Sequence, residues 1–172
     1  MTYDPRMSHL PVNHHLRPLY RVLSALAALY VLVFGVVGLI ETSGTPLFGR
    51  EETYALGLRT NLAFSLLSIV AGVVVLIGLA VGRNVDRFVN LWGGVLFLAV
   101  GLIMLTVLQT DANILNFTVS TCIVSFVIGT VLFSAGLYGR SGSRALERAE
   151  EAFRHGGRDP EEHAWQGEQS PA

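Results

Sequence analysis

Residues 65–81 read SLLSIVAGVVVLIGLAV, a run with no charge and no polar side chain beyond two serines. A helix of a soluble protein keeps one polar face turned to water. This run has none, and a chain of 172 residues is too short to bury such a helix on all sides. A bilayer core about 30 Å thick takes about 20 apolar residues as a helix, each rising about 1.5 Å. Extended leftward to Asn61, the run has that length. Three further stretches behave alike, over residues 19–40, 89–108 and 117–138, and none carries Pro or a charge at mid-depth. Side chains do not alternate with a period of two, which excludes spanning strands. The expected fold is all-α: a polytopic membrane protein of four transmembrane helices joined by short loops.

The composition agrees. Hydrophobic residues make up 51% of the chain and charged residues 15%, against about 25% charged in soluble proteins. The charges lie outside the spans, save Arg21 near the start of the first. Arg6 and Arg17 precede the first span, Arg83 and Arg87 lie between the second and third, and Arg140, Arg144, Arg148, Arg154 and Arg158 follow the fourth. Only Arg50 and Arg59 fall on the opposite side. Arginine in short flanks marks the cytoplasmic face, so both termini are expected in the cytoplasm of a cell (plasma) membrane protein. All twelve basic residues are Arg, a bias expected of a GC-rich, actinobacterium-like source. The polar segment ahead of the first span, with no small-residue cleavage site after it, predicts a retained helix and not a signal peptide.

Three parts follow: an N-terminal cytoplasmic segment (1–18), a four-helix domain (19–140) and a cytoplasmic tail (141–172). In the tail, SRALERAEEAFR at 143–154 sets Leu146, Ala149 and Phe153 at helical spacing. That predicts a short amphipathic helix, ending near residue 155 at Gly156-Gly157, and disorder beyond it.

Apolar helices in lipid associate where small residues let backbones approach. Gly35 and Gly38 mark the first span. Ser68, Gly72, Gly78 and Gly82 mark the second, Gly93, Gly94 and Gly101 the third, and Thr121, Ser125 and Gly129 the fourth. These are candidate packing positions, within the bundle or against a partner. The halves are faintly alike: Asn61 and Asn116 open the second and fourth spans, each followed by Ser four residues on, and Gly-Leu-Ala-Val-Gly-Arg at 78–83 parallels Gly-Leu-Tyr-Gly-Arg at 136–140.

Glu41 and Arg59 flank the first external loop and form a candidate interfacial pair. Asp111, Asn113 and Asn116 compose a polar turn in the third loop. Tyr20, Trp92 and Tyr138 stand where aromatic anchors belong. Catalytic, cofactor and metal residues are all expected to be absent. The histidines (His9, His14, His15, His155, His163) lie outside the spans, no carboxylate lies deep in a helix, and the single Cys122 cannot form an internal disulfide. It reads as a packing residue.

The chain resembles an uncharacterised family of small four-helix membrane proteins found mainly in actinobacteria, known as a domain of unknown function. The resemblance rests on residues 19–40 (LYRVLSALAALYVLVFGVVGLI), 57–76 (GLRTNLAFSLLSIVAGVVVL), 90–105 (NLWGGVLFLAVGLIML), 110–117 (TDANILNF) and 125–140 (SFVIGTVLFSAGLYGR). It implies the fold and a membrane location, and no activity.

The leading functional expectation is a non-enzymatic accessory or scaffold protein that packs against other membrane proteins. The expected partners are the lipid bilayer and other membrane proteins or further copies of the chain, and nucleic acid is not expected. The alternative is a small transporter or channel formed by a homo-oligomer, with Asn61, Ser65, Asn90, Thr121 and Ser125 along a polar path.

Overall fold

The computed structural model describes residues 16–82 and 84–139. The tail with its expected amphipathic helix, the segment up to residue 15, and Arg83 fall outside them. Four helices follow in order: α1 (Arg17–Glu41), α2 (Leu62–Val81), α3 (Val85–Val107) and α4 (Val119–Tyr138). Each is long and apolar enough to cross a membrane, and the protein is a multi-pass membrane protein. The burial pattern is that of a lipid-solvated bundle. Leu26, Val70, Trp92 and Val127 are each more than half exposed, while Ser24, Ser65 and Thr121 are buried.

Local chemistry sets the ends. Pro18 occupies the first turn of α1, where a missing N–H costs nothing. Asn61 caps α2, its side-chain oxygen accepting from Phe64 N at 2.9 Å. Gly82, at φ 64°, ends α2, and Asn84, at φ 70°, leads into α3. α3 therefore begins four residues before the expected Val89, bringing Asp86 and Arg87 into its first turn.

The α1–α2 and α3–α4 pairs are the closely packed ones. A methyl group on Gly35 would sit 2.7 Å from Ile69 N and Ser65 O, and one on Gly72 would sit 2.8 Å from Leu32 Cβ. Gly38 faces the Ser65 side chain. Across α3–α4, Gly94 meets the Phe133 backbone, Gly101 meets Phe126 and Ser125, and Gly129 meets Leu98. Gly136 belongs to the same seam, with Leu91 N 2.5 Å from the place of its absent Cβ. Gly78 approaches Val89 of α3. Gly82 corrects the expectation: nothing lies within 4 Å of its missing Cβ, and its left-handed φ makes it a helix terminator, not a packing residue. Along the axis, Ala28, Val31, Val75, Leu79, Ile128 and Leu132 form one apolar cluster from α1, α2 and α4.

The loop between α1 and α2 holds a two-stranded antiparallel hairpin, β1 (Thr53–Ala55) and β2 (Leu58–Thr60), pairing Thr53 with Thr60 and Ala55 with Leu58. Ala55 and Leu58 pack on Phe34, so the hairpin plugs that end of the bundle. Its two turn residues, Leu56 and Gly57, have φ of 47° and 81°. Positive φ at both positions suits a type I′ turn, for which Asn-Gly is favoured over Leu-Gly. Leu56→Asn should therefore stabilise the protein by about 1 kcal/mol, since Asn tolerates the left-handed region that a leucine pays to enter. Thermal unfolding in detergent reads the gain; an unchanged or lower midpoint would count against the turn assignment.

Candidate functional site

At the loop end, three asparagines tie the two loops and the helix ends together. Asn61 donates to Gly49 O at 3.2 Å and to Ile114 O at 2.8 Å. Asn116 donates to Glu51 O at 2.8 Å and to Thr60 O at 3.3 Å. Asn113 closes its own loop, donating to Phe117 O at 2.9 Å and accepting from Phe117 N at 2.8 Å. Arg50 bridges the loops through Asp111, with an ion pair of 2.7 Å. The proposed Glu41–Arg59 pair is corrected here. Arg59 binds Glu52 instead, because the hairpin lays these residues side by side while Glu41 stays at the exposed end of α1. Cys122, wholly buried, packs with Met104 and Phe117.

The opposite end, where both termini leave the described residues, carries a buried carboxylate. Asp86 is 2% exposed. Its Oδ1 accepts from Arg87 N at 2.8 Å. Its Oδ2 lies 3.6 Å from Arg17 Nη2 and 3.8 Å from Arg21 Nε. Arg21 also donates to Leu79 O of α2 at 2.8 Å. One turn deeper, Ser24 Oγ on α1 and Asn90 Oδ1 on α3 are buried without a hydrogen-bond partner among the described residues, as is Arg17 Nε. An unmade hydrogen bond on a buried group costs about 1–3 kcal/mol, so this end has polar capacity to spare. Tyr20 and Tyr138 stack beside it, ring centroids 5.3 Å apart.

Sequence reading missed Asp86 because it fell in a segment taken for a loop. A signal was present. Arg17, Arg21 and Ser24 fall on one face of α1, and Asp86 and Asn90 on one face of α3, at spacings of three and four.

The third feature is the seam between α2 and α3. The helices touch beside their short turn, where Gly78 meets Val89, and leave a groove of about 450 Å³ along the rest. Ala71 and Val75 on one side, and Phe88, Trp92, Gly93 and Phe97 on the other, line it. Phe88 and Trp92 are 64% and 58% exposed, so the groove opens on the apolar outer surface. No acid, base or metal-ligand cluster lines it, and no group of metal-binding side chains occurs among the described residues.

Neither curated proteins nor solved structures yielded a match to this chain. Residues 21–138, which hold nearly all of the four helices, the hairpin and the asparagine ties, match DUF4383, a domain of unknown function, and the chain belongs to that family.

Proposed function

We propose that this protein is a non-enzymatic accessory or scaffold component of the plasma membrane, and that it receives a helix of another membrane protein in the α2–α3 groove. The groove carries the reading. The small residues of α1–α2 and α3–α4 are spent on contacts inside the bundle, which leaves the α2–α3 seam as the place where a neighbour gains depth. The groove is open and spread along most of α3, so it suits a ridge of side chains from a helix lying across it.

Charge supports an orientation with both termini in the cytoplasm. At the terminal end the described residues are Arg17, Arg21 and Arg87 against Asp86. At the loop end they are Arg50 and Arg59 against Glu41, Glu51, Glu52 and Asp111. The arginine-only basic set fits an actinobacterial source. A transport path within one protomer is disfavoured, because the axial apolar cluster separates Asn90 from Asn61 and Ser65.

Gly93→Leu tests the reading. The nearest atoms to a Cβ there, Leu132 Cδ1 and Val75 Cγ2, are at 3.7 and 3.9 Å, an ordinary contact, and Gly93 lines the groove, so a longer side chain there takes up groove space. An unchanged unfolding midpoint in detergent shows that the bundle is kept. In gentle extractions from native membranes, the wild type should carry a membrane protein in stoichiometric amount and Gly93→Leu should lose it. A wild type that purifies only as its own oligomer, with solute flux in proteoliposomes, would overturn the accessory role.

A further inference from the structure

We propose that the terminal end of the bundle binds the phosphate of an anionic phospholipid through Arg17 and Arg21, with buried Asp86 as the residue that positions both guanidinium groups. The two arginines lie four residues apart on one face of α1, and their side chains are 25% and 42% exposed. A charge-assisted hydrogen bond spans about 2.7–2.9 Å. At 3.6 and 3.8 Å, Asp86 attracts both guanidinium groups without using up their N–H donors. Each guanidinium has five such donors. Arg21 spends one on Leu79 O.

The charge sum favours an anion. Among the described residues at this end, Arg17, Arg21 and Arg87 stand against Asp86 alone, and Ser24 and Asn90 carry no charge. Ser24, one turn beyond Arg21 on α1, and Asn90, one turn beyond Asp86 on α3, carry unpartnered oxygens at 0% and 3% exposure.

The surroundings favour a lipid as the source of the phosphate. Arg17 begins α1, at the depth where a spanning helix meets the headgroups. Leu19, Val22 and Leu26 on the same helix are 50%, 56% and 58% exposed. These three side chains lie across the helix from Arg17, Arg21 and Ser24, so lipid flanks the first turns of α1 at the depth of the two arginines. Basic sites at the ends of transmembrane helices bind anionic headgroups in this way.

The test uses the full chain reconstituted in vesicles of equal phosphatidylglycerol and phosphatidylcholine, then re-extracted in mild detergent. Mass spectrometry counts the lipid retained per protein. The wild type should enrich phosphatidylglycerol, and loss of each arginine should lower the enrichment about fivefold. Asp86→Asn decides between a built site and plain attraction. It removes a negative charge, so simple Coulomb binding would strengthen; a positioned site weakens. Stronger retention in Asp86→Asn, or unchanged retention in R17Q/R21Q, overturns the proposal. Where Asp86→Asn fails to fold, Arg21→Lys serves, because it keeps the charge and loses the planar fork. A drop in enrichment supports the site, and none overturns it. A last arm adds inorganic phosphate to protein in pure phosphatidylcholine. Saturable phosphate binding there, with no preference for phosphatidylglycerol in the mixed vesicles, would make the ligand a soluble anion and overturn the lipid assignment.

Discussion

Gly94→Ala is expected to open the α3–α4 seam and to lower the unfolding midpoint in detergent sharply, with much of the protein lost on expression. In an isolated helix the same change is favourable, since Ala is better than Gly by about 1 kcal/mol. Packing reverses the sign. The added methyl group would fall on the backbone of Phe133, with Phe133 Cα 2.7 Å away. A side-chain tip can rotate aside, but the backbone of a neighbouring helix moves only by shifting the helix. Inserting one methyl group into a filled interior costs about 1–3 kcal/mol, and a backbone clash belongs at or above the upper end. The adjacent glycine supplies the control. At Gly93 the nearest atom to a new Cβ is 3.7 Å away, an ordinary contact. Gly93→Ala should be neutral or stabilising by up to about 1 kcal/mol. Equal effects at the two positions would mean that α3 and α4 are not in the register described.

That pair of neighbours shows what a sequence can and cannot disclose in this fold. Length and hydropathy place four spans, because the bilayer imposes one length on every crossing helix. Small residues at helical spacing mark where helices can approach. They do not say which helix is met, so Gly93 and Gly94 read alike although one faces the axis and groove and the other faces α4. Gly82 reads as a member of the same series, yet its work is conformational, as its φ of 64° and the open space round its missing Cβ show. The hairpin was hidden for a different reason. Strands of three residues are too short to display alternation, and Leu56-Gly57 lacks the Asn-Gly signature. Once the hairpin forms, it brings Glu52 to Arg59 and removes Arg59 from the reach of Glu41. Asp86 was concealed by the boundary itself. Charge near a span end looks like loop until the helix is seen to begin at Val85.

The asparagine ties predict the second large effect. Asn116→Ala should destabilise the protein by about 3 kcal/mol, from two separable causes. The first is lost hydrogen bonding: the Asn116 amide serves Glu51 O and Thr60 O, and the residue is 5% exposed, so water cannot simply replace it. Two such bonds contribute about 0.5–1.5 kcal/mol each, more if the carbonyls remain unpaired. The second is conformational. Asn116 sits at φ 56°, which Asn tolerates and Ala does not, at a cost of about 1–2 kcal/mol. Asn116→Gly removes the first contribution while accepting the backbone, so it should lose about half as much. Asn116→Asp keeps the local conformational tolerance but turns a donor into an acceptor facing two carbonyl oxygens, and should be at least as damaging as Ala. The order Gly, then Ala, then Asp in falling unfolding midpoint follows from this geometry alone. If Gly proved as harmful as Ala, strain would have no part and the hydrogen bonds would carry the whole effect. If all three matched the wild type, the two loops would not depend on this amide, and the hairpin plug over Phe34 would have to be held by its apolar contacts alone.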